Sequence, residues 1–67
     1  MKYRIVDDSG VDYDFLSGFG IPYQSWKGEI VEGGPCPSLY AGAVVVEKPF
    51  GITGFYIASS ECFEEVE

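Results

Sequence analysis

The chain has no histidine and no asparagine, and only four Lys and Arg residues stand against eleven Asp and Glu. Each shortage removes a class of function. Without histidine there is no imidazole to act as general base or to complete a mixed Cys/His metal site. A formal net charge of -7 over 67 residues repels phosphate backbones and anionic membrane surfaces, and it draws the chain towards basic protein faces. Direct nucleic-acid binding is not expected. Lys2, Arg4, Lys27 and Lys48 are scattered among carboxylates, whereas stacking on single strands works beside a basic groove. Long apolar runs are missing too: the longest mostly apolar stretch, Leu39 to Val46, is far too short for a membrane span. Met1-Lys2-Tyr3-Arg4 leads into Ile5-Val6-Asp7-Asp8 and not into the apolar segment of a signal peptide. These features predict a cytoplasmic protein with no membrane partner.

Catalytic signatures are equally sparse. Cys36 and Cys62 are too few and too far apart for a zinc site; two reduced thiols are expected, with a disulfide as the open alternative. The glycines form neither a dinucleotide fingerprint nor a phosphate loop. Asp7, Asp8, Asp12 and Asp14 are the one cluster suited to a hard cation, but Leu16 falls where the calcium-loop template needs a ligand and Gly18 comes one place late. Paired carboxylates for glycoside hydrolysis would need a cleft that a chain of 67 residues is too small to offer. No enzyme activity, cofactor or metal is therefore expected.

What is present is aromatic. Five Phe, five Tyr and one Trp can build a dense core in a domain that buries only about 60% of its unfolded surface. Residues 1–67 read as one small domain of short strands. Tyr3 to Val6 alternates as a first strand and ends in Asp7-Asp8-Ser9-Gly10 turn chemistry. Val11 to Ser25 has no clean period and reads as a long structured loop, not a helix. Trp26 to Glu32 reads as a second strand, stopped by Gly33-Gly34-Pro35. Ala41 to Glu47, with Val44-Val45-Val46, reads as a strand buried on both faces. Lys48-Pro49-Phe50-Gly51 turns the chain into a strand from Ile52 to Ala58. Ser59 caps a short helical turn, and Phe63 to Val66 closes the domain.

Three stretches carry a resemblance: Trp26-Lys27-Gly28-Glu29-Ile30-Val31, Gly54-Phe55-Tyr56-Ile57-Ala58-Ser59-Ser60, and Phe63-Glu64-Glu65-Val66. In order and spacing they resemble the Src-homology-3-like small β-barrel, of the single-domain bacterial or phage-encoded kind. The resemblance implies an all-β, five-stranded barrel with a long first loop and a short helical turn before the last strand. Ala58 stands where that family's ligand-binding proline would be and no Trp-Trp pair is present, so a polyproline groove is not implied.

In the resembled barrel the long first loop flanks the recognition surface. Here that loop interleaves Asp7, Asp8, Asp12 and Asp14 with Tyr13, Phe15, Phe19 and Tyr23. Aromatic anchors beside carboxylates suit a partner that presents Arg or Lys. The expected partner-binding set is Asp7, Asp8, Asp12, Tyr13, Asp14, Tyr23, Trp26 and Tyr56. The expected function is an acidic module, monomeric when free, that inhibits or modulates a host or cognate protein by occupying its basic surface. Glu61, Glu64, Glu65 and Glu67 form a second acidic cluster. The alternative is a structural or assembly subunit, such as a phage particle component, that self-associates through an edge strand at Val44 to Glu47.

Overall fold

Alternation of inward and outward side chains is strongest in β1 (Lys2–Ile5), where Tyr3 and Ile5 are buried while Lys2 and Arg4 are exposed. In this computed structural model, which describes residues 1–66, β1 lies inside one antiparallel sheet of five strands. The others are β2 (Ile30–Pro35), β3 (Ala43–Glu47), β4 (Phe55–Ser59) and β5 (Phe63–Val66), in the spatial order β4-β3-β2-β1-β5. β4 and β5 are its edges, and the hydrogen bonding does not close it. The domain is mostly strand, and none of its helices among the described residues is long and apolar enough to cross a membrane.

The second strand departs from the sequence reading. Trp26-Lys27-Gly28-Glu29 is a turn, closed by Glu29 N–H donating to Trp26 C=O at 3.1 Å with Gly28 at φ 93°. β2 starts later and runs through Gly33-Gly34-Pro35 instead of stopping there. Its first half pairs with β1 (Lys2 opposite Glu32) and its second half with β3 (Gly33 opposite Val46). The strand changes partner at Gly33, where a Cβ would lie 2.0 Å from Val45 C=O and 2.7 Å from Val46 Cα. Only glycine permits that approach.

β3 and β4 form the expected hairpin, shorter at both starts than the sequence suggests. Val44 and Val46 face inward with Tyr56, whereas Val45 is only half-buried, so β3 is buried fully on one face. It is also an interior strand, paired with β2 and β4; the free edge anticipated at Val44 to Glu47 belongs to β4. Ser59 caps the 3-10 turn Ser60–Cys62 as expected, its hydroxyl accepting from Glu61 N–H.

The long first loop contains a helix that its sequence conceals. α1 (Tyr13–Gly18) starts at Asp12, whose carboxylate accepts from Phe15 N–H at 2.9 Å. It ends as Gly20 N–H donates to Ser17 C=O and Ile21 N–H to Leu16 C=O, with Gly20 at φ 79°. That is a Schellman closure, and it sets Ile21 beside buried Leu16 on the core.

Candidate protein-docking site

The acidic loop is organised by its own carboxylates. Asp7 accepts from Ser9 N–H at 2.9 Å, which closes the turn after β1; hydrogen bonding from Ser9 holds its carboxyl below the ordinary range. Asp8 Oδ2 accepts from the Tyr13 hydroxyl at 2.7 Å, and the Tyr13 oxygen in turn accepts from Trp26 N–H at 2.9 Å. The Ser25 hydroxyl approaches Asp8 Oδ2 at 3.5 Å. Burial raises the Tyr13 phenol above its ordinary pKa, with Trp26 N–H opposing and the Asp8 carboxylate adding to the rise. This relay fastens the start of α1 to the end of the loop. Among the described residues no three carboxylates or thiols gather as metal ligands.

The residues nominated from sequence divide into three groups, of which the first, Asp8 and Tyr13, is half-buried and internally hydrogen-bonded. Asp7, Asp12, Asp14 and Tyr23 are exposed, and the Tyr23 ring packs 4.9 Å from that of half-buried Tyr13. Trp26 and Tyr56 are core residues, 3% and 8% exposed, with their rings edge to face at 5.4 Å. Alternation along β4 turns Tyr56 inward, and Trp26 leaves the loop directly beneath α1, so neither offers its ring to a partner.

The most exposed aromatic surface is built from two loop aromatics that the expected partner-binding set leaves out. Phe15 and Phe19, one helical turn apart, pack with ring centroids 4.9 Å apart and planes tilted at 59°, and are 58% and 71% exposed. With Leu16, Ile21, Phe50 and Ile52 they line an open cleft of about 560 Å3 between α1 and the β3–β4 turn. Lys48 lies along it and has no carboxylate within ion-pair distance among the described residues. A smaller recess of about 150 Å3 shares Phe15, Leu16 and Lys48 and reaches Gly10, Asp12 and Tyr56. The Tyr56 hydroxyl is buried there without a hydrogen-bond partner, and burial pushes its pKa up to about 12. A Cβ at Gly10 would sit 3.0 Å from that oxygen.

Phe50 carries a further signal. Ile52 N–H donates to Pro49 C=O at 3.2 Å, and Phe50 and Gly51 at the centre of this turn have φ 61° and 73°. A hairpin turn with both central residues at positive φ normally selects Asn or Gly at the first. An aromatic there is strained, and strain of this kind collects at functional sites. The Pro-Phe-Gly sequence between two strands was the available clue.

Away from the cleft, Cys36 and Cys62 are unpaired, half-buried thiols. Burial, then Asp7 and Glu61, raise the Cys62 thiol above its ordinary pKa. Glu64 pairs with Arg4 at 2.6 Å on the surface; Glu67 lies outside the described residues. Comparison with protein-family models, with curated proteins and with solved structures finds no match to this chain.

Proposed function

We propose that this chain is a Src-homology-3-like small barrel, open between β4 and β5, that serves as a protein-binding module. It docks on a partner presenting apolar side chains among Lys and Arg, and modulates that partner in the cytoplasm by occupancy. The strand order and the change of partner within β2 support the fold reading. The observation that carries the function is the exposed apolar cleft with carboxylates close by: Lys48 is on the cleft itself, Asp12 lines the adjoining recess, Glu47 lines the recess beyond Lys48, and Asp14 is exposed in the first turn of α1. Magnitudes divide the work. Burying an exposed Phe contributes about 1.5–3 kcal/mol, whereas an exposed ion pair contributes about 0.2–1 kcal/mol. Phe15, Phe19 and Phe50 therefore supply affinity, and the acidic rim selects and steers a basic partner.

A synthetic peptide with Leu and Trp anchors among Lys and Arg tests the reading by NMR titration against an acidic counterpart. The basic peptide should shift the resonances of Phe15, Phe19 and Phe50, and binding should weaken with salt. Asp12→Asn with Asp14→Asn, which keeps a competent helix cap, should weaken binding about twofold to thirtyfold. Equal response to both peptides, or unchanged affinity in the double variant, would remove the proposal.

A further inference from the structure

The two edges of the sheet differ in charge. β5 carries Glu64 and Glu65, and Arg4 of the neighbouring strand pairs with Glu64. β4, Phe-Tyr-Ile-Ala-Ser, has no charge, no proline and no glycine, and thus lacks the devices by which proteins blunt a free edge. The pairing of β4 with β3 sets which of its backbone groups are open. Lys48 N–H donates to Gly54 C=O and Ser60 N–H to Gly42 C=O, one at each end of the hairpin. Hydrogen-bonded pairs alternate between these limits, so Tyr56 and Ala58 face β3, and the N–H and C=O groups of Phe55 and Ile57 and the C=O of Ser59 face outward, while the Ser59 N–H is directed at the Cys62 thiol. The side chains of Phe55 and Ile57 are 66% and 46% exposed on the outer face, with half-buried Val45 opposite Ile57.

We infer that β4 is a self-association edge: two copies of the chain pair β4 to β4, antiparallel, about a two-fold axis at Ile57. In this register Ile57 faces Ile57 of the second copy, and Phe55 faces Ser59 of the second copy. The Ile57 pair exchanges both its hydrogen bonds, and each Phe55 N–H donates to Ser59 C=O of the other copy. Exposed Ile57, Phe55 and Val45 join into one apolar stripe across the seam. The contact is isologous, so it closes at a dimer.

Charge chooses a second copy over a basic partner strand. A basic strand gains nothing from uncharged β4 and is attracted to β5, with its two glutamates. For two copies of a chain at -7, β4 is the strand edge where no carboxylates oppose one another. The register also sets Gly54 opposite Ser60 of the second copy, which brings Lys48, lying across Gly54, to the same end of the seam as Glu61 of the second copy. Each copy contributes the complement of the other. This relocates the self-association considered from sequence, and it replaces the expectation of a lasting monomer.

Sedimentation from micromolar to about 1 mM, with amide hydrogen exchange at both extremes, tests the inference. The expected result is a reversible monomer–dimer equilibrium. With rising concentration, exchange slows at Phe55 and Ile57, while Tyr56 and Ala58 are protected throughout by β3. Added salt strengthens the dimer, because screening relieves repulsion between two acidic bodies; basic-peptide docking in the cleft has the opposite salt dependence, so the two proposals fail separately. Ile57→Glu, at a half-exposed position, sets like charges against each other at the axis and should leave a monomer across the range. A wild-type monomer at the highest concentration overturns the inference. So does a dimer that leaves exchange at Phe55 and Ile57 unchanged, since its contact then lies elsewhere.

Discussion

The aromatic residues of this domain form two groups with opposite surroundings. Tyr3, Phe63, Tyr56, Trp26 and Tyr13 follow one another through the interior with ring centroids 5.4–6.4 Å apart. Phe15, Phe19 and Phe50 stand outside, on the cleft. The first group fixes the fold and the second is available to a partner. Residue type does not separate them, since Tyr3 and Tyr56 are buried while Tyr23 and Tyr40 are exposed, and Phe63 is buried while Phe15, Phe19, Phe50 and Phe55 are exposed. Strand alternation turns Tyr3, Tyr56 and Phe63 inward, and the rotation of α1 buries Leu16 and shields Tyr13 while presenting Phe15 and Phe19. The comparison breaks most visibly at Trp26. Trp26→Ala should cost about 3–5 kcal/mol in urea denaturation, which rivals the stability of a domain this short at about 0.05–0.15 kcal/mol per residue. Phe19→Ser should stay within about 0.5 kcal/mol. Comparable losses at the two positions would erase the distinction.

Two tyrosine hydroxyls sharpen it on a smaller scale. That of Tyr13 joins Asp8 to Trp26 N–H, and Tyr13→Phe leaves a backbone donor stranded at a cost of about 1–3 kcal/mol. That of Tyr56 has no partner, so Tyr56→Phe should be neutral or stabilising by up to about 1 kcal/mol. The same residue sets a pH dependence. Its phenol titrates at about 12 in the folded chain against an ordinary 10.0, so the neutral form is favoured by folding. That contribution is complete below the unfolded pKa and is lost as pH rises through the window from 10.0 to about 12. Alkaline denaturation in this window should be less steep in Tyr56→Phe than in the parent, and an identical profile would place the unpartnered hydroxyl in water.

Much of the sheet was legible in the sequence because its signals are local. Period-two alternation marked β1, β-branched residues marked β3, the serine before Ser60-Glu61-Cys62 marked the 3-10 turn, and the resemblance at Phe63-Glu64-Glu65-Val66 marked β5. α1 was not legible by period, since six residues hold less than two turns; its evidence was in its ends, the Asp12 cap and the Gly20-Ile21 closure. β2 was misplaced for a different reason. Glycine at position 33 reads locally as a strand terminator, and only the nearness of the Val45 carbonyl explains why it continues the strand. The acidic and aromatic character of the docking face was readable, but not which aromatics point outward, because that depends on how α1 rolls against the sheet. Asp7, Asp8 and Asp12 look in sequence like an exposed charge cluster, and in the fold they hold the loop together.

Phe50 provides the finest test, because there stability and binding should move apart. Left-handed backbone costs an ordinary residue about 1–2 kcal/mol, and asparagine is among the few non-glycine residues that adopt it readily. Against this relief stands the partial packing of a ring that is 43% exposed. The two terms nearly cancel, so Phe50→Asn should leave thermal stability unchanged or raise it by up to about 1 kcal/mol. Removing the ring from the cleft should meanwhile weaken the basic amphipathic peptide severalfold. A gain or balance in stability joined to a loss of binding is the signature of a residue kept for contact and not for folding. Destabilisation by more than about 1 kcal/mol would instead assign Phe50 to the core, and the cleft would lose the wall that the β3–β4 turn supplies.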